Sequence, residues 1–364
     1  MPDLSEYRKL AMDMSVDAVA LVPGPNFTRA LGKTFMSHER PFVVVIPAQG
    51  DPAAIVPNLE LASWELVGFE GAVFDWRDQT GYDGAFSALA EHIPIKSLAV
   101  EGQVMRVFVS AAFTRAIPDL RIVDGEREIS GLRAIKTDDD IAALQAAIDI
   151  SERALERVIA DVRAGQTEKQ VEQALIQALF AEGAESLAFS PIVAAGDNSA
   201  RPHGKARADY RIRAGDALLF DFGARKHGFA ADITRTFFVQ DVPDEGRDVY
   251  DTVLRANKAG FEACRPGVTA HDIDDAVTSV LEASPFVDRI RTKTGHGLGR
   301  DVHEAPYIMR GNSQIILPGM VWTNEPGLYE SDKFGVRIED DVLVTGDGCR
   351  SLTRFPKELT IIGR

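Results

Sequence analysis

Two segments of the chain repeat each other around acidic residues, and this repetition constrains the fold more than any other feature. Aligning GDALLFDFG (215–223) with GMVWTNEPG (319–327) puts Asp221 over Glu325, each six residues after one glycine and two before another. Further on, Asp232 and Glu339 each stand four residues past a glycine, Gly228 and Gly335. The duplication extends outward. Arg163-Ala-Gly165-Gln-Thr167 is echoed by Arg265-Pro-Gly267-Val-Thr269, and Val171 and Ala174 are answered by Ile273 and Ala276. Two copies are too few for a solenoid, so the reading is one domain with internal duplication. If each half brings two carboxylates to corresponding places, the site is pseudo-twofold. Four converging carboxylates need counter-charge, which points to a pair of divalent metal ions.

Taken singly, each acid has a plainer reading. Asp221 follows the apolar run Ala217-Leu-Leu-Phe220, where a charge must be paired, hydrogen-bonded or ligated. An ordinary buried salt bridge would serve there as well as a metal. Period-two alternation puts Asp232, Thr234 and Thr236 on one face of a strand through Phe237, and Arg337, Glu339 and Asp341 on one face of Val336–Leu343. An exposed polar face would explain either strand alone. Recurrence in both halves favours the joint metal reading.

His296 lies in TGHGLG (294–299), with His303 seven residues on. The flanking glycines let backbone approach the site closely and leave the imidazole uncrowded. Imidazole with oxygen donors suits Mn, Co, Zn or Fe better than Ca or Mg. The spacing does not match the helical His-Glu-x-x-His zinc signature. His38, His92, His227 and His271 read as structural or surface residues. Two metal ions a few ångströms apart would bridge a water and lower its pKa, so the pattern implies a binuclear hydrolase without naming the bond broken. Neither a Gly-x-Ser-x-Gly elbow nor a cysteine in a nucleophile's setting is evident.

Length suggests two domains, since 364 residues exceed the usual single core. Residues 1–131 alternate short apolar strands (Ala18–Val22, Phe42–Ile46, Ala53–Val56, Leu98–Val100) with helix candidates around Glu60–Leu66, Tyr82–His92 and Val104–Ala116. This is the pattern of an α/β domain with a largely buried sheet. Gly24-Pro25 reads as a turn. In residues 132–364, Thr137–Asp140 is a capping box opening an amphipathic helix that Gly165 ends, and Thr167–Gln170 caps the next. The 55 acidic against 40 basic residues give a formal charge of −15, which repels phosphate backbones and argues against nucleic acid as partner. No apolar run reaches the roughly 18 residues of a membrane span. The start lacks signal-peptide features, and Cys264 and Cys349 read as free thiols, so a cytoplasmic location is expected.

Together these motifs resemble the pita-bread metallopeptidases. Asp221, Asp232, His296 in Gly-His-Gly-Leu-Gly, Glu325 in Asn-Glu-Pro-Gly-Leu-Tyr329 and Glu339 in Gly-Val-Arg-Ile-Glu-Asp are similar, in order and spacing, to that family's metal pentad. An α/β domain in front and the linker Leu132–Lys136 resemble the Xaa-Pro peptidase branch, prolidase and aminopeptidase P. The resemblance implies a creatinase/prolidase-like α/β N-terminal domain that gates substrate and dimerises, followed by an α+β pita-bread catalytic domain. It implies that Asp232 and Glu339 bridge two metal ions, Asp221 binds one, and His296 with Glu325 binds the other. It also makes Glu325 the proton shuttle, His203 and His303 the histidines that steady substrate and oxyanion, and Tyr329 and Arg337 outer supports. Two departures stand out. Many relatives carry His-Arg-Thr before Gly-His-Gly where this chain has Thr292-Lys293-Thr294, and Gly24-Pro-Asn26-Phe27 only loosely follows the family's Gly-x-Asn-x-x-Tyr.

The function implied is hydrolysis of the bond before proline in small peptides with proline second, using two divalent ions (Mn, with Co or Zn as alternatives), in a homodimer. The alternatives are an Xaa-Pro aminopeptidase on longer peptides, an ectoine-hydrolase-like amide hydrolase on the same scaffold, and a catalytically silent binding module. Retention of every ligand argues against the last.

Overall fold

Short β-branched runs in the first third of the chain pair into one mixed sheet. The structure, a computed structural model, describes residues 2–363. It separates into two units, one ending at Arg133 and the other beginning at Ala134. The sheet of the first unit has the strand order Ala72–Trp76, Ala53–Pro57, Val43–Pro47, Ala18–Leu21, Ser97–Val100, Arg121–Asp124. Val43–Pro47 is antiparallel to both its neighbours, and the remaining pairs are parallel. Alternation explains its burial. Ala18, Ala20, Val43 and Val45 enter one core, while Val19, Leu21, Val44 and Ile46 enter the core on the opposite face. Such strands carry no polar face, as helices covering both sides require. The two edge strands, Ala72–Trp76 and Arg121–Asp124, escape the sequence pattern because charges and exposed positions interrupt their apolar residues. Gly24 lies in a turn, as expected, but Pro25 does not. Pro25 opens a helix, Pro25–Leu31, where its missing N–H costs nothing.

In the second unit the duplication is visible in the backbone. The first half has helices Asp138–Asp161 and Glu168–Ala181, the second has Asp244–Ala263 and Ala270–Glu282. Capping boxes at Thr137/Asp140 and Thr167/Gln170 form as expected, and Thr269/Asp272 makes the repeat mate of the latter. The first helix ends at Asp161, before Gly165, which serves the following turn with φ +93°; its mate Gly267 has φ +91°. Gly215 and Gly319 both stand at φ +85°. A left-handed backbone at matching positions is what a glycine in both copies supplies.

Each half has its own sheet, covered by helices that also reach across, Val249 and Val253 to Ala217 and Phe238 and Leu144 and Ile148 to Val321 and Leu343. The first runs Ile361–Ile362, Ile233–Val239, Ala217–Phe222, Ile192–Ala195, and the second Glu304–Ile308, Gly295–Gly297, Val321–Asn324, Asp340–Val344, Cys349–Ser351. Leu155, Val158, Leu175 and Leu179 meet Leu218 and Phe220 in the first core. Ala270 and Ile273 meet Trp322 and Val342 in the second.

Two strands expected to be continuous are broken. Val336–Leu343 divides into Phe334–Arg337 and Asp340–Val344, which pair with different partners. Phe229–Phe237 likewise divides into Phe229–Ala230 and Ile233–Val239. Glu339 and Asp232 occupy these two corresponding breaks. Among the described residues, no helix is long and apolar enough to cross a membrane.

Candidate metal centre

The strand breaks explain why these acids converge. At a break the backbone leaves the ladder, so Asp232 and Glu339 aim inward rather than along a pleat. Asp221 is in the last turn of pairing of Ala217–Phe222, opposite Thr234, and Glu325 immediately follows Val321–Asn324. His296 sits mid-strand in Gly295–Gly297. A Cβ on Gly295 would lie 1.7 Å from the Thr323 carbonyl and one on Gly297 2.2 Å from that of Ala305, so only glycine lets the neighbouring strands close this tightly on the histidine.

Donor atoms of these residues form three overlapping groups, each spanning no more than 4.8 Å: Asp221, Asp232 and Glu339; His296, Glu325 and Glu339; Asp232, His296 and His303. The structure thus brings together all five residues expected as ligands. It also brings His303, expected only beside them, within donor reach. The His296 and His303 rings lie 3.9 Å apart, centroid to centroid. His296 Nδ1 faces the Gly297 carbonyl at 3.1 Å, and its Nε2 stands 3.1 Å from Glu325 and 3.7 Å from Asp232.

The support network crosses the repeat. Arg337 Nη2 donates to Asp221, Nη1 to the Tyr329 hydroxyl at 2.8 Å, and Nε to Thr234 Oγ1 at 3.0 Å. Thr234 Oγ1 donates in turn to Glu339 at 2.5 Å. The Asp232 amide donates to Asp341 at 3.3 Å. Thr323 Oγ1 accepts the His296 amide and donates to Glu325, both at 3.1 Å. Lys136 pairs with Glu304, next to His303. His203 is exposed on a turn and belongs to none of the three donor groups. Thr234 and Asp341 carried a sequence signal, since alternation places them on the faces of Asp232 and Glu339. Thr323 carried none, being one hydroxyl in an apolar strand.

The electrostatics fit divalent cations. Burial, then repulsion from the other acids, pushes Asp232 and Glu339 well above the usual carboxylate range. Burial raises Asp221 too, against the pull of Arg337, and its Oδ1 is buried without a hydrogen-bond partner. Glu325 differs. Burial raises it, but the hydrogen bond and charge of His296 outweigh that and hold it below its ordinary value. Around it, burial raises Tyr329, while Arg337 stays firmly protonated because Tyr329 and the acids outweigh its desolvation. His303 is held down to about 4 by desolvation and then by His296. Carboxylates that repel one another, one of them with an orphaned oxygen, beside an imidazole form a donor set that a divalent metal ion satisfies.

Comparison with known proteins agrees. Residues 142–346 match Metallopeptidase family M24, and residues 4–135 match the Creatinase/Prolidase N-terminal domain. A probable dipeptidase PepE of Mycobacterium tuberculosis is 33% identical over 356 residues, covering 96% of this chain and 93% of that one. The crystal structure of a prolidase from Thermococcus sibiricus superposes with a TM-score of 0.93 at 32% identity, covering 99% and 98% of the two chains. An Xaa-Pro dipeptidase from Bacillus anthracis gives 0.90 at 29%, covering 99% of each. On its duplicated backbone, its convergent donors and these matches, the chain belongs to metallopeptidase family M24, with a creatinase/prolidase-type domain preceding its catalytic unit.

Proposed function

We propose that this protein hydrolyses the peptide bond preceding proline in Xaa-Pro dipeptides, using two divalent metal ions. One observation carries the reading: Asp232, His296 and Glu339 each occur in two of the three donor groups, and of these only the carboxylates have a second oxygen with which to serve a second ion. Asp221 would complete one metal position and His296 with Glu325 the other, with Asp232 and Glu339 shared between them. When bound, the ions lower the pKa of water and polarise the scissile carbonyl. Manganese suits an oxygen-rich set with a single imidazole.

The rest is work for the protein. Glu325, the acid held lowest, stays ionised and accepts the proton of the attacking water through its carboxylate. It then delivers that proton to the proline nitrogen as the C–N bond breaks. His303, held neutral, donates its N–H to the oxyanion that develops on the former carbonyl. His203 steadies the substrate from its turn. Arg337 and Tyr329 fix Asp221, and Thr234 fixes Glu339, so that the acids do not reorganise when charge shifts. The dipeptidase and prolidase names of the relatives support this choice of bond. We assign the N-terminal unit, residues 1–131, to substrate gating and homodimer formation, and the location to the cytoplasm.

The test is turnover by purified, manganese-loaded protein of Xaa-Pro dipeptides, Xaa-Pro-Xaa tripeptides and a panel of small cyclic amides. Cleavage of the dipeptides is expected. Cleavage of cyclic amides alone would reassign the chemistry, and silence on all of them would refute it.

A further inference from the structure

At one joint between helix and strand, corresponding positions of the repeat carry opposite chemistry. Counting back eight residues from Arg163 and from Arg265 reaches Leu155 and Asn257, and the residues just before Asp221 and Glu325 are Phe220 and Asn324. In the first half Leu155 and Phe220 are fully buried in one apolar core. In the second half the same two positions hold Asn257 and Asn324, equally buried. An apolar pair therefore packs this joint, and a buried amide costs free energy unless its hydrogen bonds are met. The polar pair needs a reason other than packing.

Both the nitrogen and the oxygen of the Asn257 amide are engaged. From the helix Asp244–Ala263, its Nδ2 donates to the Asn324 carbonyl at 3.0 Å and to the Ile338 carbonyl at 3.3 Å. Its Oδ1 accepts from Lys357 at 2.9 Å, and Asn324 Nδ2 returns a bond to the Asn257 carbonyl at 2.7 Å. A Cβ on Gly260, on the same helix, would lie 2.8 Å from Asn324 Oδ1, so glycine there admits the strand's side chain against the helix.

The two carbonyls that Asn257 holds belong to the peptide units leading into Glu325 and Glu339. The other edge of each unit is held as well. The Glu325 amide donates to the Thr294 carbonyl at 2.8 Å, and the Glu339 amide to the Thr234 carbonyl at 3.1 Å. Each peptide plane is thus pinned on both edges, and Asn257 is the residue common to the two. Glu325 and Glu339 occur together in one donor group, with His296, whereas the group of Asp221 and Asp232 contains Glu339 alone of this pair. Resting on the binuclear reading above, we propose that Asn257 is a positioning residue for the metal position of His296, Glu325 and Glu339. One side-chain amide on the helix sets the backbone of both carboxylates and keeps them at the spacing one ion requires. Asp221 arrives from the apolar joint of the first half, and its support comes through its side chain, from Arg337.

The experiment compares wild type with Asn257→Asp, Asn257→Leu, Gly260→Ala and, as a packing control, Leu155→Ala. Asn257→Asp keeps the size of the side chain and the acceptor for Lys357 but loses both donated bonds. Leu155→Ala loosens the corresponding joint of the first half. Metal-free protein is titrated with Mn, read as ions bound per chain and their dissociation constants, and its Tm is measured alongside. In both Asn257 variants one ion should weaken by about 10- to 100-fold and the other by less. Gly260→Ala should weaken the same ion by a smaller factor. Leu155→Ala should lower Tm and leave both dissociation constants unchanged. Wild-type affinity for both ions in the Asn257 variants, equal weakening of the two, or the same loss in Leu155→Ala overturns the assignment. Should the Asn257 variants not fold, an unchanged titration of Gly260→Ala overturns it. Loss of one ion from the Asn257 variants, when wild type cleaves no Xaa-Pro dipeptide, upholds the positioning role and refutes the proline-directed reading. A wild type that binds fewer than two ions overturns both.

Discussion

The two halves of the catalytic unit deliver their acids on the same backbone but support them unequally. Asp221, from the first half, is held by Arg337 of the second; Glu339, from the second, is held by Thr234 of the first. Asp232 leans on Asp341 across the same divide. His296 and Glu325 instead share Thr323, within the second half. The registers differ as well. In the first half Asp221 lies opposite Thr234, two residues past Asp232, whereas in the second Asn324 lies opposite Asp340, placing Glu325 beside Glu339 itself. A slip of two keeps every side chain on its face, so the acids still converge. His296 has a positional mate in the first half. Gly297 lies opposite Trp322 and Ala195 opposite Leu218, and since Trp322 and Leu218 correspond, His296 corresponds to Ala194. The metal centre is thus a product of the join between two halves, with one histidine supplied by one side alone. That asymmetry makes the two metal positions chemically different.

The most severe way to break this comparison is to remove an acid that serves both halves. Asp232→Ala should lower kcat/KM by three orders of magnitude or more, roughly the several kcal/mol that metal-assisted hydrolysis contributes. The protein should remain folded, because the substitution relieves a buried charge that desolvation already opposes. Kinetics, circular dichroism and metal content on the same preparation check this. An active variant would overturn the bridging role of Asp232.

What the sequence made legible divides along the same line. The acids were readable because the repeat carries them at fixed offsets from glycines, and one matched pair, Gly215 and Gly319, holds the same left-handed angle. The capping boxes were readable because their chemistry is local. The strand breaks at Asp232 and Glu339 were not, since alternation continues across Val336–Leu343 whether or not the partner strand changes. Nor was the proximity of His303 to the donor set, which depends on pairing between Gly295–Gly297 and Glu304–Ile308. In the N-terminal unit the interior strands announced themselves by unbroken apolar runs, while Ala72–Trp76 and Arg121–Asp124 were hidden by their exposed edges.

The two threonines sharpen the comparison at an intermediate scale. Thr234 supports Glu339, a carboxylate proposed to serve both metal positions, whereas Thr323 supports Glu325 and the backbone of His296, proposed to serve one. Thr234→Val should therefore weaken both metal ions, and Thr323→Val only one, each by about 10- to 100-fold as is usual for a lost ligand support. A metal titration read as ions bound per chain separates them. One weakened ion in Thr234→Val would mean that Glu339 serves a single position.

The smallest effect tests whether the halves are equivalent away from the metals. Thr167 and Thr269 head corresponding helices, and each hydroxyl accepts the amide three residues on, at 3.2 and 3.1 Å. Removing either hydroxyl should cost about 1 kcal/mol. In a unit of this size that lowers Tm by about 2–4 °C. The surroundings differ in one respect. Thr167 is buried at the start of a helix whose next residue, Glu168, is fully buried and accepts from the Ala195 and Arg207 amides and the Asn198 side chain; Thr269 precedes Ala270. Thr167→Ala should therefore disturb a polar cluster as well as a cap and shift Tm further than Thr269→Ala in metal-free protein. Equal shifts by calorimetry would mean that both boxes act as local caps and that the Glu168 cluster is anchored independently.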